Sequence, residues 1–151
     1  MGRPDAAAVQ RPHRTMSHQW HNAVIYVAHS SETPVNEDWD AFLDAVATYE
    51  RSNGRVRFLV NTEMAGPNAA QRRKLNDLMN RLGSKLRVAV LSESMVVRGI
   101  IQALSWMNVI EIRSFPPGAI AAALGYLEAE ADALAVAKAL KIFEQIEKDI
   151  R

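Results

Sequence analysis

Cysteine is absent from this 151-residue chain. That excludes disulfides, Cys-ligated zinc, iron–sulfur clusters and thiol catalysis, and it fits a reducing cytoplasm as the expected location. Charge of either sign is barely in surplus: the formal net charge is +1. Nothing therefore draws the whole molecule toward nucleic acid or an anionic membrane. Arg3, Arg11 and Arg14 near the N-terminus are too few for a nucleic-acid arm. No apolar run approaches the ~20 residues of a membrane-spanning helix, and the N-terminal stretch lacks the apolar region of a signal peptide. Neither nucleic acid nor membrane insertion is expected.

What is present is an ordinary globular composition, 48% apolar and 23% charged, enough for a single core. The central unit runs from Leu86 to Phe115. Leu86–Leu91 is a Val/Leu-rich run that reads as a strand covered on both faces. Ser92-Glu93-Ser94 stops it, and Ser94 suits an N-cap. From Met95 the period becomes helical, placing Val97, Ile100, Ile101 and Leu104 on one face. Val109–Phe115 then reads as a strand ended by Pro116-Pro117-Gly118. Strand, helix and strand with short links imply parallel pairing and a right-handed crossover.

Upstream, Trp20–Ala28 is the first expected strand. A helix follows Pro34 and Asn36 with the stripe Trp39, Phe42, Leu43, Val46 and Tyr49, closed by Gly54. Arg55–Val60 is the second strand. After Asn61–Pro67 comes a helix from Asn68 carrying Leu75, Leu78, Met79 and Leu82, ended by Gly83. A short helix spans Ala119–Leu127, with Ile120, Ala123, Leu124 and Leu127 inward. Residues 129–151 form a last amphipathic helix whose face carries Val136, Leu140, Phe143, Ile146 and Ile150. The expected organisation is a flexible tail over 1–18, a domain over 19–128 and the C-terminal helix.

This order of elements, and above all Val88–Leu127 with its LSES turn, VVRGIIQALSWMNV helix and terminal Ala/Leu helix, resembles the STAS domain. STAS domains occur in anti-sigma-factor antagonists and in the cytoplasmic parts of sulphate transporters, and the likeness is nearest to the SpoIIAA-like branch. It implies an α/β fold with a four- or five-stranded mixed sheet and helices packed against it, plus the extra C-terminal helix. It also implies a regulatory module that is no enzyme, needs no cofactor, and docks a kinase-like or signalling protein. The antagonists carry a phosphorylated serine where the helix after the second expected strand begins. Here that start reads Gly66-Pro67-Asn68-Ala69-Ala70-Gln71, without a hydroxyl.

The expected docking residues are Glu63, Gly66, Asn68, Arg72, Arg73 and Lys74, since a helix N-terminus with a basic triplet suits an acidic partner or an anion. The competing reading is a solvated helix face. Leu140, Phe143 and Ile146 are a second expected surface, a seam for a homodimer or partner. Acidic residues gather in the first helix (Glu37, Asp38, Asp40, Asp44, Glu50) and basic ones from Arg55 to Arg87. Either the molecule is electrostatically two-sided or the helices lie together and neutralise each other. Ser92, Ser94 and Arg98 resemble a nucleophile loop, but capping explains Ser94 more simply. His18, His21 and His29 lack a fixed acidic partner and are read as incidental rather than metal-binding. A small-molecule or lipid sensor is the alternative function, with an apolar pocket expected beside the Val96–Leu104 helix.

Overall fold

The structure is a computed structural model that describes residues 15–62, 66–106 and 111–150. Its elements in chain order are β1 (Met16–His21), β2 (Val24–His29), α1 (Asn36–Asn53), β3 (Val56–Asn61), α2 (Ala69–Leu82), β4 (Leu86–Leu91), α3 (Met95–Trp106), β5 (Glu111–Phe115), α4 (Ile120–Tyr126) and α5 (Ala133–Asp149). A single 3₁₀ turn, Gly83–Lys85, joins α2 to β4. The sheet has five strands in sequential order, with β1 antiparallel to β2 and all later neighbours parallel. This is the expected α/β fold with a mixed sheet.

The hydrophobic residues divide into two clusters, one per sheet face. Ile25, Val27, Phe58, Val88, Val90 and Ile112 meet Trp39, Phe42, Val46, Tyr49, Leu82 and Ile101 from α1, α2 and α3. Tyr26, Leu59, Ala89 and Leu91 meet Ile120, Leu124, Phe143 and Ile146 from α4 and α5 on the other face. Strands covered on both sides need apolar residues at consecutive positions, which is why β2 and β4 read as continuous apolar runs.

Several expectations shift. The first strand is a hairpin: β1 covers Met16–His21 and β2 covers Val24–His29, joined at Asn22, whose φ is 52°. Asn tolerates this left-handed backbone better than most residues. Met16, Ser17 and His18, expected in the tail, are therefore strand residues, and Met16 is 2% exposed in the core. The rest of the expected tail through Arg14 lies outside the described residues, as do Glu63–Ala65 and Met107–Ile110.

The C-terminal helix corrects the seam. Phe143 and Ile146 are buried against the chain's own sheet, and the Phe143 ring meets Tyr26 edge-on at 5.5 Å. The buried stripe is Ala139, Ile142, Phe143 and Ile146, which leaves Leu140 on the flank at 49% exposure. A helix that is the only cover for half a sheet face cannot also offer that stripe to a second copy.

Candidate functional site

Because β2 to β5 run parallel, the loops after their C-terminal ends gather along one edge, where open α/β sheets place their sites. The starts of α1, α2 and α3 all stand there. Strand register sets His29, Thr62 and Ser92 side by side on the face that these three helices cover.

The start of α2 is firmly built. Asn68 caps it, its side chain accepting from Gln71 N–H at 2.9 Å while the Gln71 side chain accepts from Asn68 N–H at 3.0 Å. This reciprocal pair satisfies two donors that a helix N-terminus otherwise leaves open. Gln71 is buried and also donates to the Pro34 carbonyl (2.7 Å) and to Asn36 Oδ1 (3.0 Å). Its own carbonyl accepts from Trp39 Nε1 at 3.1 Å. Gln71 thus locks α2 to α1, a role the sequence disguises because a lone Gln carries no motif.

The basic triplet disperses, as successive helical residues must at 100° steps. Arg72 donates to the Pro67 carbonyl at 2.8 Å, bracing the loop. Lys74 pairs with Asp40 of α1 at 3.0 Å. Arg73 is exposed and has no hydrogen-bond or ion-pair partner among the described residues. Gly66 and Asn68 are exposed beside them. Of the expected docking set, Asn68 and Arg72 therefore hold the loop, Lys74 ties α2 to α1, and Arg73 is open to a partner. Glu63 lies outside the described residues.

The two-sided charge reading is settled the other way. α1 and α2 lie side by side, and Arg81 and Lys85 both reach Glu50, at 2.7 and 3.4 Å, in addition to the Lys74–Asp40 pair. The hydrogen bond from Arg81 lowers the Glu50 pKa, with Lys85 assisting. Acidic and basic segments neutralise each other across the helix pair.

Beside α2, α3 presents the least expected surface. Val97 and Ile101 face the sheet, but Ile100, expected with them, is 56% exposed, alongside Met95 at 85% and Val96 at 62%. With Gly99 and Ala103, also exposed, these make a stripe at i, i+1, i+4, i+5 and i+8 that contains no charged residue. The helix is apolar on several sides, so periodicity alone could not choose its inward face.

The Ser92 loop is a turn and cap. Ser92 is 1% exposed and its hydroxyl accepts from Ser94 N–H at 3.1 Å, while the Ser94 hydroxyl accepts from Val97 N–H at 3.2 Å. Arg98 Nε donates to the Ser92 carbonyl at 3.3 Å. The histidines are separated. His18 lies beside Phe42 and His29 beside Trp39 on one sheet face, while His21 belongs to the other. Burial lowers the His29 pKa to about 4, so its ring is neutral at physiological pH. Among the described residues no group of three His, Asp or Glu is arranged to hold a metal ion.

Among the described residues a cleft of about 360 Å³ occurs. It lies on the α4–α5 side, where the parallel strands begin, between the β1–β2 turn and the α4–α5 connection. Near it stands Arg57, 6% exposed, which the sequence placed only among the basic residues of the middle. Its guanidinium donates to the carbonyls of Leu127, Val56 and Lys85 and to Glu128 Oε1, all within 3.0 Å. The Arg57 hydrogen bond holds Glu128 below the usual carboxylate range, with Arg87 contributing next. No described helix is long and apolar enough to cross a membrane. Comparison with protein-family models returns no match, and comparison with characterised proteins returns none either.

Proposed function

We propose that the chain is a non-enzymatic, regulatory interaction module of the STAS-like kind. It holds an amphipathic helix of a partner protein against the outer face of α3 and the neighbouring start of α2. The observation that carries this reading is the uncharged stripe Met95, Val96, Gly99, Ile100 and Ala103, which leaves large side chains in water that its own fold does not cover. Such a stripe matches the apolar anchors of a helix laid in a groove. Arg73 at the start of α2 suits an acidic residue flanking those anchors. Gly66 and Asn68 border the same edge. No hydroxyl stands at the start of α2, so in this reading docking is constitutive there rather than switched by phosphorylation.

The test compares capture from native cell lysate by the wild-type protein, by Val96→Asp/Ile100→Asp and by Leu134→Asp. Leu134 is a control on α5, equally apolar and 65% exposed. A protein held by wild type and Leu134→Asp, and lost by a double variant with an unchanged unfolding midpoint, is the expected result. Equal retention by all three removes α3 from the docking surface.

A further inference from the structure

β5 ends the sheet: β4 pairs with one side of it, and among the described residues no strand pairs with the other. The hydrogen bonding fixes which of its backbone groups are left open. The Phe115 carbonyl accepts from Ser92 N–H at 3.1 Å, so Phe115 faces β4. Backbone direction alternates along a strand. Arg113 and Glu111 therefore face β4 as well, while Ile112 and Ser114 turn their N–H and C=O groups outward. Such a row of open donors and acceptors is a template for a further strand.

The side chains say which strand. Ile112 points into the core on the α3 side of the sheet and is 8% exposed. Glu111 and Arg113 point to the opposite face and are exposed. The Arg113 guanidinium lies 4.9 Å from the centre of the Tyr126 ring, which positions it, and it has no ion pair among the described residues. Glu111 reaches Arg87 at 3.5 Å, and its side chain remains 57% exposed. Edge strands are often guarded by charges that repel a copy. Here two opposite charges, two residues apart, answer each other instead.

We propose that two copies of the chain join β5 to β5, antiparallel about Ile112, making one continuous sheet across a two-fold axis. The two Ile112 residues then exchange both N–H···O=C bonds, as a hydrogen-bonded antiparallel pair does. The flanking pairs set Glu111 of each copy opposite Arg113 of the other. These are the non-hydrogen-bonded positions, where side chains stand closest. Other arrangements lose this match: parallel pairing in register sets like charges together, and centring on Ser114 sets Arg113 opposite Phe115. The other edge strand, β1, reads MSHQWH and carries no such pair of charges. An edge of five residues makes a small contact. The pair is accordingly weak, populated at high protein concentration and dissociated at the micromolar concentrations of an unfolding experiment. None of these residues belongs to the α3 docking stripe, so pairing and docking are tested independently.

The experiment is sedimentation of the full chain over a concentration series reaching the millimolar range, at low and high salt. The expected result is a reversible dimer that weakens as salt rises. Glu111→Arg and Arg113→Glu, both at exposed positions, should each weaken it by about 10- to 100-fold, because either change sets like charges in both flanking pairs. Mixing the two single variants should restore association, since one copy then offers two arginines and the other two glutamates. The double variant Glu111→Arg/Arg113→Glu should pair with itself as the wild type does. Recovery in the mixture is a result that damage to folding could not produce. A wild-type chain that stays monomeric throughout, single variants that associate as tightly as wild type, or single variants that stay apart when mixed would each overturn the proposal.

Discussion

Replacing Phe143 with alanine tests whether α5 is part of the core or an appendage. Phe143 is 5% exposed and touches Tyr26 at a centroid distance of 5.5 Å, within the cluster that covers β2 to β4. Truncating a buried Phe costs about 3–5 kcal/mol, because transfer free energy is lost and a cavity remains. Against a typical stability of about 5–15 kcal/mol, that is a large fraction. Leu140, one turn away and 49% exposed, should lose less than about 1 kcal/mol on the same truncation. Urea unfolding followed by circular dichroism measures both, with the denaturant slope checked for two-state behaviour. If α5 were instead a seam between copies, Leu140→Ala and Phe143→Ala would cost similar amounts, and the midpoint would depend on protein concentration. Either result would refute the assignment of α5 to the chain's own core. A chain ending at Glu128 should accordingly fail to fold, since Ile142, Phe143 and Ile146 together contribute about 4–9 kcal/mol of burial.

Arg57→Met should lower stability by about 2–4 kcal/mol, read as a fall in urea midpoint, because the carbonyls of Leu127 and Lys85 lose their donor. Asn68→Ala should cost about 1 kcal/mol by removing the cap of α2, whereas Lys74→Ala should cost under about 1 kcal/mol and lose even that in high salt. His29 makes a pH prediction. Its folded pKa of about 4 lies below the unfolded value near 6.5, so the unfolded chain takes up the proton first as pH falls. Its contribution, up to about 3 kcal/mol, is complete above pH 6.5 and lost as pH drops toward 4. Denaturation midpoints between pH 4 and 7 should show this slope, and a His29→Gln variant should flatten it. An unchanged slope in that variant would assign the titration to other groups.

The α/β class and most of the elements are legible in the chain alone, because buried parallel strands and one-sided helices leave patterns that neighbouring residues alone produce. Leu86–Leu91, the Trp39–Tyr49 stripe, Gly54 and the Ala119–Leu127 helix are legible for that reason. β1 was harder to see because MSHQWH has no β-branched residue. Its signal was the period-two placement of Met16, His18 and Trp20 ahead of Asn22. Other features depend on which surfaces meet. α3 is apolar on several sides, so only its seat on the sheet shows that Ile101 is inside and Ile100 outside. Leu140, Phe143 and Ile146 share a helical face in sequence, yet the sheet takes two and leaves one. The acidic and basic segments cancel because a parallel sheet in sequential order sets α1 beside α2. Gln71 and Arg57 matter through partners as far as 71 residues away. No local pattern records a distance of that kind, and only folding brings it within hydrogen-bonding reach.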